Sequence, residues 1–421
     1  SFIDGPATAN NPLGVHHAWG RTYKDTYQRF KSLQGYDQRF QNGFDCHGLP
    51  IEVGVEKEIG LNSKKDIENF GVENFVKKCK ERVEKYAKIQ TEQSIRLGQW
   101  NHWDESYYTL SDTNIEHIWY FLKKCYDNGW LYRGTDVVPW CYRCGTALSQ
   151  HELYDSYKDL THTSVYLKFP IRDRENEYLL VWTTTPWTLT SNVAVAVNPE
   201  LVYAKVKQEN SIYYLSQGTL TSLKGDYVVL ETLSGNDLVN LEYSAPYGDL
   251  EVQKNIKHRV VSWELVSEEE GTGIVHIAPG CGKEDHDLGK KEKLPEISPL
   301  DESGNYLDGF DWLTGKNVGH VSRDIINDLE SRNFIYKTKD YFHRYPTCWR
   351  CNTELVFRLV NEWFISVNEI RPRMIEANKK IIWEPEHGGK IMEDWLNNMS
   401  DWLISRKRYW GLPLPIWECE N

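Results

Sequence analysis

Residues 141–144 read Cys-Tyr-Arg-Cys, and residues 348–351 read Cys-Trp-Arg-Cys. The two-residue spacer of each pair lets both thiolates turn toward one ion, and two such pairs complete a tetrahedral four-cysteine zinc site. The alternatives are a redox pair or two separate half-sites, but no thioredoxin-like βαβ pattern surrounds either pair. The spacing therefore predicts one structural Zn²⁺ ion, and its ligands are Cys141, Cys144, Cys348 and Cys351.

The chain between the two pairs is long enough to form a domain. If one ion holds both pairs, the roughly 200 residues between them must leave the metal and return to it. Within this segment, β-branched and aromatic runs are separated by turn signals, which is typical of a β-rich domain. The predicted strands lie at residues 165–167, 178–182, 193–197, 202–206, 212–215, 227–230, 260–266 and 274–277. Both arguments predict a β-rich domain over residues 151–345, inserted between residues 1–150 and 346–421.

The chain outside this insertion reads as an α/β fold. Residues 2–4 predict a strand, residues 16–33 a helix, and residues 38–44 a second extended stretch. Strand, glycine-containing turn, helix and strand in this order are typical of a nucleotide-binding fold. A capping box at residues 63–66 and apolar residues at helical spacing then predict one long helix. Further helices are predicted at residues 111–129 and 392–405, and a strand at 362–365.

Composition excludes several classes of protein. The 421 residues carry a net charge of −12, which argues against a uniformly basic nucleic-acid coat protein. A local basic surface could still bind RNA, because electrostatic attraction depends on where charges sit. No apolar run approaches the ~18 residues of a membrane helix. Nine cysteines in a long acidic chain favour the cytoplasm over an oxidising compartment. The first residue is serine, so we expect the chain to be part of a longer protein.

Two stretches of the outer segment carry candidate binding residues. His16 and His17 lie at the start of the first predicted helix, where backbone N–H groups and imidazoles favour phosphates. Asp45 directly follows the second predicted strand, in a glycine-bearing loop where a carboxylate can hold a ligand ammonium group. The alternatives are two structural histidines and an aspartate that organises its own turn.

Two stretches of the insertion carry further candidates. Residues 182–192 read Trp-Thr-Thr-Thr-Pro-Trp-Thr-Leu-Thr-Ser-Asn and offer many hydroxyl donors and acceptors to a ribose or a carbonyl. Residues 271–279 place His276 in a predicted strand, and Asp285 follows nine residues later. A histidine and an acid at this spacing could position water or anchor an ammonium group. An ordinary surface loop and strand are the alternative for each stretch.

Together and in this order, these stretches resemble the isoleucyl-tRNA synthetases, which are class I aminoacyl-tRNA synthetases. The resemblance runs from Phe2 to about Cys419. Residues 43–50, Gly-Phe-Asp-Cys-His-Gly-Leu-Pro, are similar to the isoleucine-type version of this loop. Residues 182–192 are similar to the threonine-rich editing peptide of the isoleucine enzymes, whose valine and leucine counterparts contain Thr-Arg-Pro. Residues 405–411, Ser-Arg-Lys-Arg-Tyr-Trp-Gly, resemble a string that the three related groups share.

The resemblance implies roles for individual residues. Residues 14–17 read Gly-Val-His-His and differ from the family's HIGH signature at its first and third positions. His17 would contact the ATP phosphates, and His16 would replace the missing first histidine. Asp45 would bind the α-ammonium group of isoleucine and Pro6 would line its pocket. The substrate-binding residues so implied are Pro6, Asp45 and His47.

The resemblance also implies that the insertion is an editing domain. A hydrophobic pocket separates isoleucine from valine by only ~1–3 kcal/mol, so a second, hydrolytic pocket must remove valine. Asp285 would hold the ammonium group of misplaced valine there. The editing residues so implied are Thr183, Thr184, Thr185, Thr188, Asn192, His276 and Asp285.

The expected protein is therefore α/β. Part of a Rossmann-type nucleotide-binding catalytic domain is interrupted by a β-rich editing insertion on a zinc-pinned stalk. By resemblance its partners are isoleucine, ATP with Mg²⁺, and tRNA(Ile), with no membrane, and the full-length enzyme is a cytoplasmic monomer. The lysine-containing KMSKS loop and an anticodon-binding domain are absent from these 421 residues. We therefore expect no isoleucine activation by this chain alone, but editing hydrolysis. The alternatives are a valyl- or leucyl-type enzyme and a non-enzymatic, zinc-stapled RNA-binding module.

Overall fold

A computed structural model describes residues 5–153, 156–417 and 419 of the chain. They form two compact units: an outer unit of Ser1–Gly134 and Glu362–Asn421, and a central unit of Thr135–Asn361. The central unit is thus an insertion in the sequence of the outer unit. Both cysteine pairs belong to the central unit, so the predicted boundaries at 150/151 and 345/346 lie inside it.

The outer unit opens with a parallel β-α-β arrangement. Strand β1 pairs with β2, Ala7 opposite Phe44, and β2 pairs with β3, Gly43 opposite Tyr107. Both pairings are parallel, so the carboxyl ends of β1 and β2 lie at one edge of this small sheet. The elements up to the insertion are β1 (Ala7–Thr8), α1 (Val15–Leu33), β2 (Gly43–Asp45), α2 (Leu49–Ile59), α3 (Lys64–Phe70), α4 (Val72–Arg96), β3 (Tyr107–Tyr108), α5 (Asp112–Asp127) and β4 (Leu131–Cys141).

The predicted strand at residues 2–4 lies outside the described residues. Two other predictions for this part of the chain need correction. The second strand occupies only Gly43–Asp45 rather than residues 38–44. The predicted long helix is two helices: the Ser63 hydroxyl accepts from the Asp66 N–H at 3.2 Å and starts α3, but Gly71 then ends it. Gly71 has φ +96°, which a right-handed helix cannot contain, and α4 starts directly after it.

The central unit is built on a nine-stranded mixed sheet. Seven strands follow the order β11-β9-β10-β7-β13-β8-β12, and β6 pairs with both β7 and β14. Its elements are β5 (Thr146–Ala147), α6 (Gln150–Leu153), β6 (Tyr157–Pro170), β7 (Glu177–Thr183), β8 (Ala194–Val197), β9 (Val202–Gln208), β10 (Ser211–Ser216), β11 (Val228–Ser234), α7 (Gly235–Leu238), β12 (Arg259–Ser262), β13 (Val275–Ile277), α8 (Lys283–Glu292), α9 (Ser322–Ser331), β14 (Ile335–Pro346) and β15 (Val356–Ile365). Each of the eight predicted strands overlaps a strand of this sheet, although the one predicted at residues 260–266 ends at Ser262.

Runs of apolar residues explain why these strands were recognisable and why β14 was not. The β7 residues Leu179, Leu180 and Val181 and all of β8 are fully buried, as their apolar runs predict. Strand β14 mixes charged and aromatic residues, and only Pro346 in it is buried, so its apolar signal is weak. It nevertheless pairs with β6 along its length, from Ile335 opposite Leu167 to Pro346 opposite Tyr157.

The chain after the insertion completes the outer unit. Its elements are α10 (Arg371–Asn378), α11 (Gly388–Asn398) and β16 (Trp402–Leu403). The predicted helix at residues 392–405 is wrong in its second half, because Trp402 and Leu403 pair as a strand with Ile365 and Phe364. Within the part of the chain that the structure describes, no helix combines the length and apolar character of a membrane span.

Candidate functional site

The first candidate site surrounds Asp45 at the carboxyl end of strand β2. The Thr8 hydroxyl donates to the Asp45 carboxylate at 3.1 Å, and the His47 N–H donates to its other oxygen at 3.4 Å. Thr8 ends β1, so the parallel pairing of β1 with β2 is what brings its hydroxyl to Asp45. His47 is half-buried and lies against Trp410, with ring centroids 5.4 Å apart, and burial lowers the pKa of the imidazole.

A buried ion cluster holds the loop that follows Asp45, and we call it the ion clamp: Glu52, Glu56 and Arg408. Arg408 donates to Glu52, and to Glu56 at 2.6 Å. The backbone N–H groups of Tyr409 and Trp410 also donate to Glu52, at 2.9 and 2.6 Å. All three side chains of the clamp are at most 5% exposed. Three donors thus reach the buried Glu52 carboxylate, and one of them carries the positive charge that compensates it.

Trp410 extends the clamp to the loop itself. Its indole N–H donates to the Cys46 carbonyl at 2.7 Å, and its own carbonyl accepts from the Gly48 N–H at 3.2 Å. Residues 405–411 therefore position residues 45–50 through contacts between segments about 350 positions apart in sequence.

His16 and His17 lie in the first turn of α1 and are exposed. The Gly14 N–H donates to His17 Nδ1 at 3.2 Å, which leaves Nε2 of that ring free to carry a proton toward a ligand. Partial burial, followed by the neighbouring charge of His16, lowers the pKa of His17. Pro6 is partly buried in the segment before β1.

The second candidate site is a chain of hydroxyl groups in the central unit. Strand β7 ends at Thr183 and runs into a buried 3₁₀ segment, Pro186–Ser191. The Thr185 hydroxyl lies 3.4 Å from those of Thr183 and Thr188, and the Thr188 hydroxyl lies 2.9 Å from His276 Nε2. The structure thus brings four of the seven predicted residues into one hydrogen-bonded chain.

The protonation state of His276 follows from this series of hydrogen bonds. The Thr188 hydroxyl donates to the Thr185 carbonyl at 2.8 Å, so it must accept from the Nε2–H of His276. Burial lowers the pKa of His276 to about 4, so the ring is neutral near pH 7. A neutral ring with its proton on Nε2 leaves Nδ1 as an acceptor, and this buried atom has no partner among the described residues.

Asn192 holds the threonine segment rather than joining the hydroxyl chain. Its amide accepts from the Tyr243 hydroxyl at 2.7 Å and donates to the Ala194 carbonyl at 2.8 Å. Gln253 donates to the Thr190 carbonyl at 2.8 Å, and His258 Nε2 lies within 3.2 Å of both the Asn192 carbonyl and the Gln253 amide oxygen. We call Asn192, Tyr243, Gln253 and His258 the neutral clamp, because burial also lowers the pKa of His258 to about 4.

The two remaining predicted residues of this site have different surroundings. Thr184 lines a cavity together with Pro186. Asp285 lies in the first turn of α8 and accepts from the Ala278 N–H at 2.8 Å. Burial raises the pKa of Asp285 to about 6, because little polar surrounding offsets the cost of its charge. A cationic ligand would supply the missing compensation.

The four predicted metal ligands form one cluster. Their sulfur atoms all lie within 4.8 Å of one another, and Cys351 Sγ lies 3.5 Å from that of Cys141 and 3.6 Å from that of Cys144. The edge of a tetrahedron with metal–sulfur bonds of about 2.3 Å is about 3.8 Å, so the cluster could hold a metal ion.

The turns at the two pairs are alike. Gly145 and Asn352, the residues after each pair, have φ +61° and +64°. Their N–H groups donate to the carbonyls of Cys141 and Cys348 at 2.8 and 2.7 Å. The positive φ lets each turn close tightly enough to aim both thiols of a pair inward.

Residues 1–421 match the family model of tRNA synthetases class I (I, L, M and V). The chain belongs to this family. It is 42% identical to the isoleucine–tRNA ligase of Pyrococcus horikoshii and 41% identical to isoleucine–tRNA ligase 2 of Bacillus cereus. Each alignment covers 100% of this chain and 41% of the relative, so the chain spans about two fifths of the length of these relatives.

Sequence reasoning missed the residues that hold both candidate sites of this class I synthetase chain. Thr8, Glu52, Tyr243 and His258 were not singled out. One signal was available for Glu52, because it lies among the buried apolar residues of α2 and a buried carboxylate requires a cation. No local pattern identifies Arg408 as that cation.

Proposed function

We propose that this chain is part of an isoleucine–tRNA ligase. The enzyme would activate isoleucine with ATP, transfer it to tRNA(Ile), and hydrolyse valine attached in error. The observation that carries the proposal is the 41–42% identity to isoleucine–tRNA ligases along the whole chain. These relatives favour isoleucine over the valine- and leucine-type alternatives.

For the outer unit, we propose half of a Rossmann-type catalytic domain. The parallel β-α-β arrangement and the start of α1 beside His16 and His17 support an ATP-phosphate site there. Mg²⁺ would enter with ATP as part of the substrate. Asp45 would hold the α-ammonium group of isoleucine, since its carboxylate is fixed by Thr8 at a strand end. Pro6 and His47 would flank the side chain of the amino acid.

For the central unit, we propose hydrolysis of the ester between valine and tRNA. Water would add to the carbonyl carbon, the bond to the ribose oxygen would break, that oxygen would take up one proton of the water, and valine would leave as the free acid. The linked hydroxyls of Thr183 and Thr185 would orient water and donate to the developing oxyanion, and the Thr188 hydroxyl would hold that of Thr185 in place. Asp285 would hold the ammonium group of valine. Neutral His276 would fix the Thr188 hydroxyl through its Nε2–H.

We further propose that the metal is Zn²⁺ and that its role is structural. Four thiolates leave no open coordination position for a substrate, and this donor set favours zinc. The ion would pin together two segments near the ends of the central unit. The proposed partners are isoleucine, ATP and tRNA(Ile), and the full-length enzyme would be a cytoplasmic monomer.

The test is hydrolysis of valyl-tRNA(Ile) by this chain. We expect hydrolysis by the wild type and a loss of about 10²-fold in Asp285→Ala, because the substrate is no longer positioned. Asp287→Ala, which removes an exposed carboxylate from the same helix, is the matched control and should keep the rate. An unchanged rate in Asp285→Ala would contradict the role of Asp285. Binding of tRNA with no hydrolysis of any aminoacyl ester would favour the RNA-binding module.

A further inference from the structure

Two histidines of the central unit meet across the strand pair β6 and β14. Leu160 lies opposite His343 and His162 lies opposite Tyr341, so the two histidines are diagonal neighbours on one face of this antiparallel pair. Nδ1 of His162 lies 2.9 Å from Nε2 of His343, and the two rings are inclined at 73°. The register of the strands thus holds two imidazole nitrogens side by side.

A carboxylate determines which nitrogen of His162 carries a proton. Nε2 of His162 lies 3.2 Å from the Glu354 carboxylate, which can only accept a hydrogen bond. Nε2 therefore carries a proton, and in the neutral ring Nδ1 presents its lone pair toward His343. Histidines that bind metal ions share this arrangement, since their second ring N–H usually donates to a group such as a carboxylate that orients the ring. Glu354 thus prepares Nδ1 of His162 as a ligand.

The electrostatic surroundings of His343 also suit a cation. Burial, followed by the neighbouring His162, lowers the pKa of His343, so this ring is mostly neutral near pH 7, as a metal ligand must be. The carboxylates of Glu270 and Glu354 act on the same pKa in the opposite direction, which means that both favour a positive charge at this position. Glu270 accepts from the Tyr341 hydroxyl and is held there by it. A neutral pair of imidazoles beside two carboxylates therefore attracts a cation.

The separation of the two nitrogen atoms fits a transition-metal ion. With metal–nitrogen bonds of about 2.1 Å, neighbouring ligands are about 3.0 Å apart in octahedral geometry and about 3.4 Å apart in tetrahedral geometry. The observed 2.9 Å matches the octahedral value. Nitrogen ligands at right angles favour Ni²⁺ or Cu²⁺, whereas Mg²⁺ and Ca²⁺ prefer oxygen. His162 also lines two cavities that contain Thr184, so water has room to supply the remaining ligands.

We propose that Nδ1 of His162 and Nε2 of His343 bind one divalent transition-metal ion of the Ni²⁺ or Cu²⁺ type. Glu354 bonds to the other nitrogen of His162, so it orients that ring and does not bind the ion. On binding, His343 moves its proton from Nε2 to Nδ1, so the ring stays neutral and keeps the same number of protons. The ion is distinct from the one that the four cysteines would hold, and it involves none of the residues assigned to editing.

The test is the binding of Ni²⁺, which does not oxidise thiols as Cu²⁺ does. The chain is saturated with Zn²⁺ and dialysed, so that the cysteines are filled, and is then titrated with NiCl₂ at pH 7.5 by isothermal titration calorimetry. We expect one Ni²⁺ ion per chain. His162→Gln and His343→Gln should each weaken binding by more than about tenfold, and Glu354→Gln by about tenfold because the ring is no longer oriented. His320→Gln removes an exposed histidine of the same unit and should bind as the wild type does.

Two further measurements separate this site from a folding defect and from metal exchange at the cysteines. Ni²⁺ should raise the unfolding temperature of the wild type and of His320→Gln but not that of His162→Gln, because an ion bound only to the folded state stabilises it. Without Ni²⁺, all three proteins should unfold at about the same temperature. Wild-type affinity in folded His162→Gln, or release of one Zn²⁺ for each Ni²⁺ taken up, would overturn the inference. Neither measurement involves hydrolysis of valyl-tRNA(Ile), so the editing function is tested separately.

Discussion

The loop that carries Asp45 and the segment that carries the threonines are held in opposite ways. The first is fixed by the ion clamp, in which Arg408 compensates the buried carboxylates of Glu52 and Glu56. The second is fixed by the neutral clamp, in which Tyr243, Gln253 and His258 donate to amide and carbonyl oxygens. Both clamps are buried, so the comparison isolates the effect of charge on how a site is held.

The difference matters because charges and dipoles respond differently to loss of a partner. An unpaired charge in a buried position costs several kcal/mol, whereas an unpaired amide oxygen costs about 1–3 kcal/mol. The charged clamp should therefore be rigid but intolerant of substitution, and the neutral clamp should tolerate single changes. A segment that admits an ester-linked substrate has reason to avoid nearby fixed charges other than the one that binds the ammonium group.

Removing the cation of the ion clamp is expected to have the largest effect. Arg408→Ala should lower the free energy of unfolding by about 3–5 kcal/mol, because Glu52 and Glu56 are left as uncompensated buried carboxylates. Urea unfolding followed by tryptophan fluorescence measures the change. Lys57→Ala removes an exposed cation from α2, the helix that carries Glu52 and Glu56, and should lower the free energy of unfolding by under ~0.5 kcal/mol. Equal effects of the two substitutions would show that burial of the charge is irrelevant.

The buried carboxylate of Asp285 in the central unit gives the next largest effect, with the opposite sign. Asp285 has a pKa raised from 3.8 to about 6, so folding disfavours its charged form. The contribution of Asp285 to the free energy of unfolding is therefore fully present below pH ~4. It is lost as the pH rises through 6, and the loss is about 3 kcal/mol at most. Asp285→Asn should therefore be more stable than the wild type at pH 7.5 and equal to it near pH 4. Urea midpoints at both pH values measure this.

The same shift predicts the pH dependence of editing. Only ionised Asp285 attracts an ammonium group, so wild-type hydrolysis should fall as the pH drops below about 6. His276 does not explain such a limb, because its pKa lies at about 4. A pH–rate profile that is flat between pH 5 and 7 would contradict the assignment to Asp285.

Loss of one donor from the neutral clamp should have a smaller effect. Tyr243→Phe leaves the Asn192 amide oxygen without its donor and should cost about 2 kcal/mol of stability. Tyr227→Phe removes a hydroxyl from a partly exposed ring and serves as the control, with almost no change expected. If Tyr243→Phe lowered the free energy of unfolding as much as Arg408→Ala does, the two clamps would not differ in their tolerance of substitution.

The smallest effect is expected for the hydrogen bond between the two parallel strands of the outer unit. Thr8→Val removes the donor to Asp45 but keeps the shape of the side chain, and should cost about 1 kcal/mol because the site is partly exposed. Thr8→Ser keeps the hydroxyl and is the matched control. Urea unfolding of both variants gives the difference, and a more stable valine variant would show that the hydroxyl does not stabilise the fold.

Patterns that repeat locally were predictable from the sequence. The burial of Leu179–Val181 follows from their apolar run, the start of α3 from Ser63 and Asp66, and the paired turns from Gly145 and Asn352. The two wrong helix predictions also have local physical causes. A single positive φ at Gly71 interrupts a helical pattern, and strand pairing of Trp402 overrides a helical one.

The sequence by itself determined that two cysteine pairs meet, that a β-rich unit lies between them, and which loops carry hydroxyls and carboxylates. Only the tertiary structure decided how each group acts. It paired Arg408 with Glu52 and turned the Asn192 side chain toward Tyr243. It also buried Asp285 and placed Lys224, Lys337 and Arg323 in the wall of one cavity with Thr184. Periodicity and spacing encode which residues are buried or turned, but partners and desolvation depend on contacts between distant parts of the chain.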